Sequence, residues 1–532
     1  MSAMPPHTAS PAPVRRRRRS RAAALGVSVA LVATLASGCT ELGDQILGRT
    51  PTPSAGTDLM PEGLEELATF YEQRLDWVAC GAGECAELTV PLNYAEPDGE
   101  TIEISLLKVP ASGPRNRIGS IVVNPGGPGG SGVDYAAAAD FIVGPDVRRR
   151  YDVVGFDPRG VGRSAPIDCV PDAELDDFLG TDPTPDDAAE EQQFADVTAG
   201  FAKACAANAG PLLAHVSTVD AAKDMDILRA ALGEEKLTYL GKSYGTYLGT
   251  VYAEQFTDRV GRFVLDGAVP PDLTSQEVGI GQAEGFDRAT KAWAQDCIDS
   301  GSCPLGDTVD EVVTGMGDLM RRFDAEPVPV RGDSRVTSMS EGWAALGVAV
   351  AMYDQGMWSM LTDALGDVVE RDDATALMAL ANRYADRTSS GSYTGNIMEA
   401  IFAVNCLDRA ESDNLDDFRA AQAEADRRAP LWGRFISWSS LTCGFWEPDV
   451  VGGGARTIAA AGSAPIVVIG TTRDPATPYE WSERLADQLE SGVLVSFDGD
   501  GHTAYMRSNS CVDKAIDAFY LSGTVPEDGL RC

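Results

Sequence analysis

Hydrophobic positions along the chain fall into two kinds of run. One kind is short, continuous and rich in β-branched residues: "AELTVPLNY", "TIEISLLKVP", "GSIVVNPGG", "YDVVGFDPRG", "LTYLGKS", "RFVLDGAVPP" and, far downstream, "APIVVIGTTRD" and "GVLVSFDGDG". Strands buried on both faces of a mostly parallel sheet read this way, and several of these runs stop at Gly, Asp or Pro. The other kind repeats at helical spacing. "TVDAAKDMDILRAALG" (Thr218 to Gly233) is one example, and its closing Gly suits a crossover helix. Strand and helix alternate, so the fold class is α/β.

The alternation breaks between "RFVLDGAVPPD" and "APIVVIGTTRD". Residues 273–455 carry long helical patterns, such as the run from "GWAALGVAVAM" to "ALMALANRYADR", and read as a mainly helical lid inserted into the sheet domain. The core is then expected in two parts, residues 65–272 and 456–532. No internal repeat is apparent.

The N-terminus follows different rules. "RRRRRSR" precedes "AAALGVSVALVATLASGC", an apolar run that is short for a membrane span and closes on small residues, so residues 1–38 read as an export signal. "LASGC" resembles a bacterial lipobox with Cys39 as the acylated residue, although Ala36 stands where Leu is commonest. Cleavage and release into the medium is the alternative. Residues 39–64 are rich in Thr, Pro, Gly and Ser and read as a tether.

Charge and cysteines narrow the class. The formal charge is −37, and residues 1–38 contribute six arginines and no acid to it. Such a surface repels nucleic acid and anionic lipid, so any membrane contact is expected only through the lipid anchor. Besides Cys39 there are ten cysteines, an even number that suits disulfides in an exported chain. Connectivity does not follow from sequence, but pairing each cysteine with its neighbour in chain order gives the simplest loops. Cys-x-x-Cys is absent and only His215 and His502 lie beyond the signal, so no metal or cofactor is expected.

Chemistry concentrates at "LTYLGKSYGTYLG". A strand that ends in G-x-S-x-G and turns at once into a helix is a nucleophile elbow, in which glycines permit the tight backbone that lifts the serine above the sheet edge. Ser243 is the nucleophile this predicts. A serine needs a base. His502, in the Gly-rich loop "DGDGHTAY", suits that role, whereas His215 lies upstream of the serine and reads as structural. Asp474 in "TTRDPATP" follows a late strand and completes the order Ser, Asp, His of α/β-hydrolases, with Asp266 in "VLDGAVPP" as rival acid. "VVNPGGPGGSG" supplies close-approach amides, and those of Gly127 and Tyr244 are the expected oxyanion donors. The same loop carries neither a phosphate-binding nor a dinucleotide pattern. In "GFDPRGVGRS", Asp157 and Arg159 read as residues that fix loop geometry.

Together "NPGGPGGSG", "GFDPRGVGRS", "GKSYGTYLG", "DPATPYEW" and "GDGHTAY" resemble the secreted tripeptidyl aminopeptidases of actinobacteria, in the prolyl-aminopeptidase-like branch of the α/β-hydrolases. The likeness spans roughly residues 65 to 532, and its C-terminal segment, from about residue 430, carries "LTCGFWEP" and "DPATP". It implies a serine exopeptidase that removes short peptides from free N-termini, with Ser243, Asp474 and His502 as triad. Prolyl aminopeptidases proper carry a His-Gly-Gly-Pro loop where this chain has Asn124, which argues against single-proline release. An aminopeptidase must also hold an ammonium group, and Asp408 in "NCLDRAE" and Glu447 in "GFWEPD" are the lid carboxylates singled out for that task. A carboxylesterase or lipase on the same fold, and a lipid-anchored binding protein with an inert hydrolase body, are the alternative readings.

Overall fold

The computed structural model describes residues 59–532. The export signal, Cys39 and the tether as far as residue 58 lie outside the described residues. Twelve strands are named in chain order: β1 (Val78–Cys80), β2 (Gly83–Pro91), β3 (Thr101–Val109), β4 (Gly119–Asn124), β5 (Tyr151–Phe156), β6 (Leu237–Lys242), β7 (Val260–Asp266), β8 (Val328–Pro329), β9 (Ser338–Met339), β10 (Ile466–Arg473), β11 (Gly492–Asp500) and β12 (Leu530–Arg531). Ten of them form one sheet in the order β1-β2-β3-β5-β4-β6-β7-β10-β11-β12, while β8 and β9 pair separately.

The sheet begins as an antiparallel meander of β1, β2 and β3, and β3 joins β5 antiparallel. From β5 onward all neighbours are parallel. This is the mixed sheet of an α/β-hydrolase, with the β5-β4 swap that crossover helices on both faces produce. Residues of β4 and β5 are buried throughout, as are Ile466–Thr471 of β10, which explains the continuous apolar centres Ile121–Val123, Val153–Val154 and Ile466–Ile469. Two apolar clusters line the two faces, one on the β-branched core of β4, β5, β7 and β10 under the C-terminal helix, the other extending into the cap.

All five disulfides join chain-order neighbours: Cys80–Cys85, Cys169–Cys205, Cys297–Cys303, Cys406–Cys443 and Cys511–Cys532. Residues 273–455 are largely helical, opening with the long helix Ser275–Asp299, whose N-terminus is closed by a Thr274/Glu277 capping box.

Two boundaries differ from the sequence reading. Leu59, Met60 and Leu64, counted there in the tether, pack against the core, and Arg229 donates to the Leu59 carbonyl at 2.8 Å. More important, residues between β5 and the helix Thr218–Ala231 do not belong to the sheet layer alone. Their helices Asp172–Leu179 and Ala188–Asn208 pack into the cap: Phe178 and Phe201 stack at 4.2 Å and both meet Phe402, while Phe194 sits edge-on to Trp438. The cap is therefore built from two excursions. The physical reason is that this stretch has no strand run, so its apolar helix faces find their partners in the insertion rather than on the sheet.

Candidate active site

Four loops at the carboxyl ends of parallel strands β4, β6, β10 and β11 build the site, the position at which open α/β sheets receive ligands. After β6, Ser243 takes φ 56° and ψ −127° before the helix Tyr244–Gln255 begins. A non-glycine residue there is strained by roughly 1–3 kcal/mol. The surroundings enforce it: the Ser243 amide donates to the Asp266 carbonyl at 2.9 Å, and the Ser243 carbonyl accepts from the Thr246 amide at 2.8 Å. The flanking glycines are required by space. A Cβ on Gly241 would lie 2.3 Å from the Gly245 carbonyl oxygen, and one on Gly245 would lie 2.8 Å from that of Asn124. Within residues 239–253 Ser243 alone is not fully buried, so the hydroxyl is reachable.

His502 follows β11 and is 7% exposed. Its Nδ1 lies 2.9 Å from both carboxylate oxygens of Asp474. Asp474 itself is fully buried and accepts amides from Ala476 at 2.9 Å, Thr477 at 2.8 Å and Thr503 at 3.1 Å. Four donors thus hold one carboxylate, and that carboxylate fixes the imidazole with its Nδ1 proton toward the acid. Nε2 is buried and makes no hydrogen bond. The ring is oriented with one nitrogen occupied and the other free to take a proton.

Asp266, the rival acid, makes no hydrogen bond to the imidazole. It accepts the amides of Ala504 and Tyr505 at 2.9 Å and stands 3.4 Å from the Lys242 ammonium, so it anchors the loop that carries His502. His215 lies elsewhere, its carbonyl held by Arg159, and burial lowers its pKa.

The glycine loop lies flush on the elbow. Gly126 has φ 98°, and a Cβ on it would stand 2.8 Å from the Ser243 Cβ and 3.1 Å from the Tyr244 nitrogen. Asn124 folds this loop through its Oδ1, which accepts from the Gly126 amide at 2.9 Å. Among the described residues neither the Gly127 nor the Tyr244 amide donates to a protein group. Asp157 receives Ser131 Oγ at 2.6 Å and the Val133 amide at 3.1 Å, fixing the loop's exit, and the buried Arg159 pairs with Asp224 through two 2.7 Å bonds. Both act on loop geometry.

Sequence reading missed how the cap seats on the site. Tyr353 accepts the His502 amide at 2.9 Å through its carbonyl and sets its ring edge-on to the imidazole at 5.2 Å. Gln282 donates to the Ala476 carbonyl at 3.0 Å, and Gly285 packs so closely on Pro475 that a Cβ would meet its carbonyl oxygen at 2.4 Å. Ile397 and Ala400 press on Gly129. These cap residues touch three site loops, those of His502, Asp474 and Gly129, and no local pattern marks them.

The two amine-binding candidates stand in different surroundings. Asp408 is 2% exposed and accepts the Thr218 amide at 2.9 Å and its hydroxyl at 2.6 Å; that hydroxyl also meets the Tyr244 phenol. Burial pushes the Asp408 carboxyl up to about 6, against the Thr218 bonds that lower it. Each of its oxygens accepts one bond from Thr218, and through that residue the cap is tied to the elbow. Glu447 is exposed and has no hydrogen bond or ion pair among the described residues.

Comparison with known proteins places these features in context. Residues 429–532 match the family described as TAP-like protein. The chain is 38% identical over 483 residues to the serine protease Hip1 of Mycobacterium tuberculosis, covering 86% of this chain and 91% of that one. It is 38% identical over 463 residues to a protein of the same organism named carboxylesterase B, covering 84% and 86%. With the tripeptidyl aminopeptidase of Streptomyces coelicolor it shares 31% identity over 475 residues, 86% of each chain.

Proposed function

The chain belongs to the α/β-hydrolase family that contains Hip1 and the tripeptidyl aminopeptidases, and from that premise we propose that it is an exported exopeptidase releasing short peptides, three residues at a time, from free N-termini. It is a serine peptidase of the α/β-hydrolase type, and its substrates are peptides. In the proposed cycle His502 Nε2 removes the Ser243 proton as Oγ attacks the scissile carbonyl, and Asp474 stabilises the imidazolium that results. The amides of Gly127 and Tyr244 receive the oxyanion, helped by the positive end of the helix Tyr244–Gln255. His502 then protonates the leaving amine, and water, deprotonated by the same nitrogen, cleaves the acyl-enzyme.

One observation carries the catalytic part of the reading: the imidazole is clamped to Asp474 through Nδ1 while Nε2 is left without a partner. Labelling with a fluorophosphonate tests it. Ser243 is expected to carry the adduct by peptide mass spectrometry, and His502→Ala to abolish labelling; an adduct on another serine overturns the assignment.

Export and anchoring rest on the arginine-led apolar N-terminus and the five disulfides. If Cys39 is acylated, the protein partitions into detergent and Cys39→Ala releases it to the aqueous phase. An esterase is the second reading, favoured by the relative named carboxylesterase B. Preference for a p-nitrophenyl acyl ester over any peptide amide would select it.

A further inference from the structure

Asp182, Asp324 and Glu341 come from three separate stretches of the cap. Asp182 follows the helix Asp172–Leu179, Asp324 ends the helix Val309–Ala325, and Glu341 opens the helix Glu341–Met352. One carboxylate oxygen from each lies within 4.8 Å of the others. Among the described residues none of the three is paired with a lysine or arginine. The nearby Arg434 donates instead to the Thr184 carbonyl and hydroxyl and to Asp186.

Three carboxylates gathered with no direct ion pair, and only Arg434 nearby to offset them, repel one another, and the innermost bears most of that cost. Glu341 is 1% exposed. Its Oε2 accepts the Thr184 hydroxyl, whereas Oε1 is buried and accepts from no N–H or O–H donor, and the Asp182 carboxyl stands beside Glu341. A buried acceptor left unsatisfied beside two further acids calls for a cation. The local packing is otherwise tight: Ser340 Oγ donates to the Gly180 carbonyl at 2.7 Å, and a Cβ on Gly342 would meet the Thr181 carbonyl oxygen at 2.5 Å. The cluster is therefore held together by its scaffold despite its charge.

We propose that Asp182, Asp324 and Glu341 form a binding site for a hard divalent cation, Ca2+ in preference to Mg2+, which fastens the first cap excursion to the second. Oxygen ligands without sulfur or nitrogen suit a hard ion rather than zinc or copper. Ca2+ holds its oxygens at about 2.3–2.6 Å, so two oxygens on one ion stand at most about 5 Å apart, and the observed span meets that limit. Mg2+ demands near-ideal octahedral geometry at about 2.1 Å and gives up its waters reluctantly, whereas Ca2+ accepts irregular sets of carboxylates such as these, drawn from three separate segments. Among the described residues none of the three acids hydrogen-bonds or ion-pairs with the triad loops, so the ion's task is to hold the cap, not to react.

The test uses the purified full chain, stripped with EDTA and returned to buffer. Thermal unfolding is followed with EDTA, with CaCl2 and with MgCl2 at about 5 mM, above the roughly 10⁻⁴–10⁻³ M dissociation constants of extracellular calcium modules. Tb3+ serves as a luminescent Ca2+ substitute, excited through Trp343 two residues from Glu341. The expected result is a Tm rise of a few degrees with Ca2+, smaller with Mg2+, and saturable Tb3+ luminescence displaced by Ca2+. Glu341→Gln and Asp324→Asn each lower the Tb3+ affinity at least tenfold and remove the Tm shift. Should Glu341→Gln fail to fold, Asp324→Asn, at the half-buried rim, decides alone. An unchanged Tm with no saturable luminescence overturns the proposal. So does a shift that survives in the variants, which would put the ion elsewhere on the acidic surface. A chelated protein stabilised by lowering the pH but indifferent to Ca2+ also overturns it, since a proton shared by Glu341 and Asp182 would then fill the role.

Discussion

Replacing Gly126 by alanine probes the oxyanion loop where its fit to the elbow is closest. At φ 98° the backbone lies where an L-residue is strained, at a cost of about 1–3 kcal/mol. The new methyl would stand 2.6 Å from the Lys242 carbonyl oxygen and 2.8 Å from the Ser243 Cβ, both parts of the elbow backbone or its root, so one side must shift. Overpacking of that kind adds about 1–3 kcal/mol. The loop is the softer partner, because Ser243 is pinned by Asp266 and Thr246. As the loop retreats it takes the neighbouring Gly127 amide with it, and losing one oxyanion donor lowers kcat by about 10²–10³. We therefore expect kcat/KM on a peptide anilide to fall at least a hundredfold while the Tm drops by several degrees. Gly200→Ala is the control: it sits in the helix Ala188–Asn208 with open space around it and is expected to gain about 0.5–1 kcal/mol with unchanged activity. A Gly126→Ala enzyme that loses Tm yet keeps kcat/KM within a few-fold would refute the oxyanion assignment.

Further outcomes follow from the same structure. Asp474→Asn should leave the fold intact but reduce kcat by on the order of 10³–10⁴, since the amide cannot hold the imidazole with its Nδ1 proton inward; activity near wild type would return the acid's role to Asp266. Glu399, 6% exposed on the cap helix Ile397–Asp408, accepts the Cys169 and Val170 amides, and burial pushes its carboxyl up to about 7. Its folded form holds the proton more tightly than the unfolded chain, so stability falls as pH rises from about 4.5 to 7, by up to about 1.4 kcal/mol per unit. Glu399→Gln keeps both amide bonds and should flatten the Tm profile over that window; an unchanged profile would contradict it. Removing Cys406–Cys443, which spans 37 residues, by a double alanine substitution should cost about 3–4 kcal/mol in the chain-entropy account, read as a lower Tm in circular dichroism. A loss below 1 kcal/mol would mean the cap closes without it.

What was legible in the chain follows the range of the forces involved. β4, β5 and β10 announced themselves because strands buried on both faces carry continuous apolar centres, and the elbow did so because the G-x-S-x-G pattern is local, with Gly241 demanded by the Gly245 carbonyl and Gly245 by the Asn124 carbonyl of the neighbouring strand. Asp474 and His502 were also readable, each closing a strand run with a short polar turn. The first cap excursion was not, since the helix Ala188–Asn208 shows that it has an apolar face without showing that Phe402 and Trp438 cover it. Tyr353 and Gln282 carry no pattern of their own and gain meaning only when the cap settles on His502 and Ala476. Asp408 was picked out as a lid carboxylate able to hold an ammonium group, and its bonds to Thr218 add a bracing role that only tertiary contact reveals. The three acids at Glu341 are invisible to motif reading for the same reason: they lie on three segments that meet only in the folded cap.

The central claim is that this serine peptidase cleaves amides and requires a free amino terminus. The measurement that tests it is kcat/KM for Ala-Pro-Ala p-nitroanilide, free and N-acetylated, with wild type and Ser243→Ala. The account predicts turnover of the free peptide, at least a hundredfold less of the acetylated one, and neither with the variant. Equal turnover of both peptides, or hydrolysis of acyl esters alone, would contradict it.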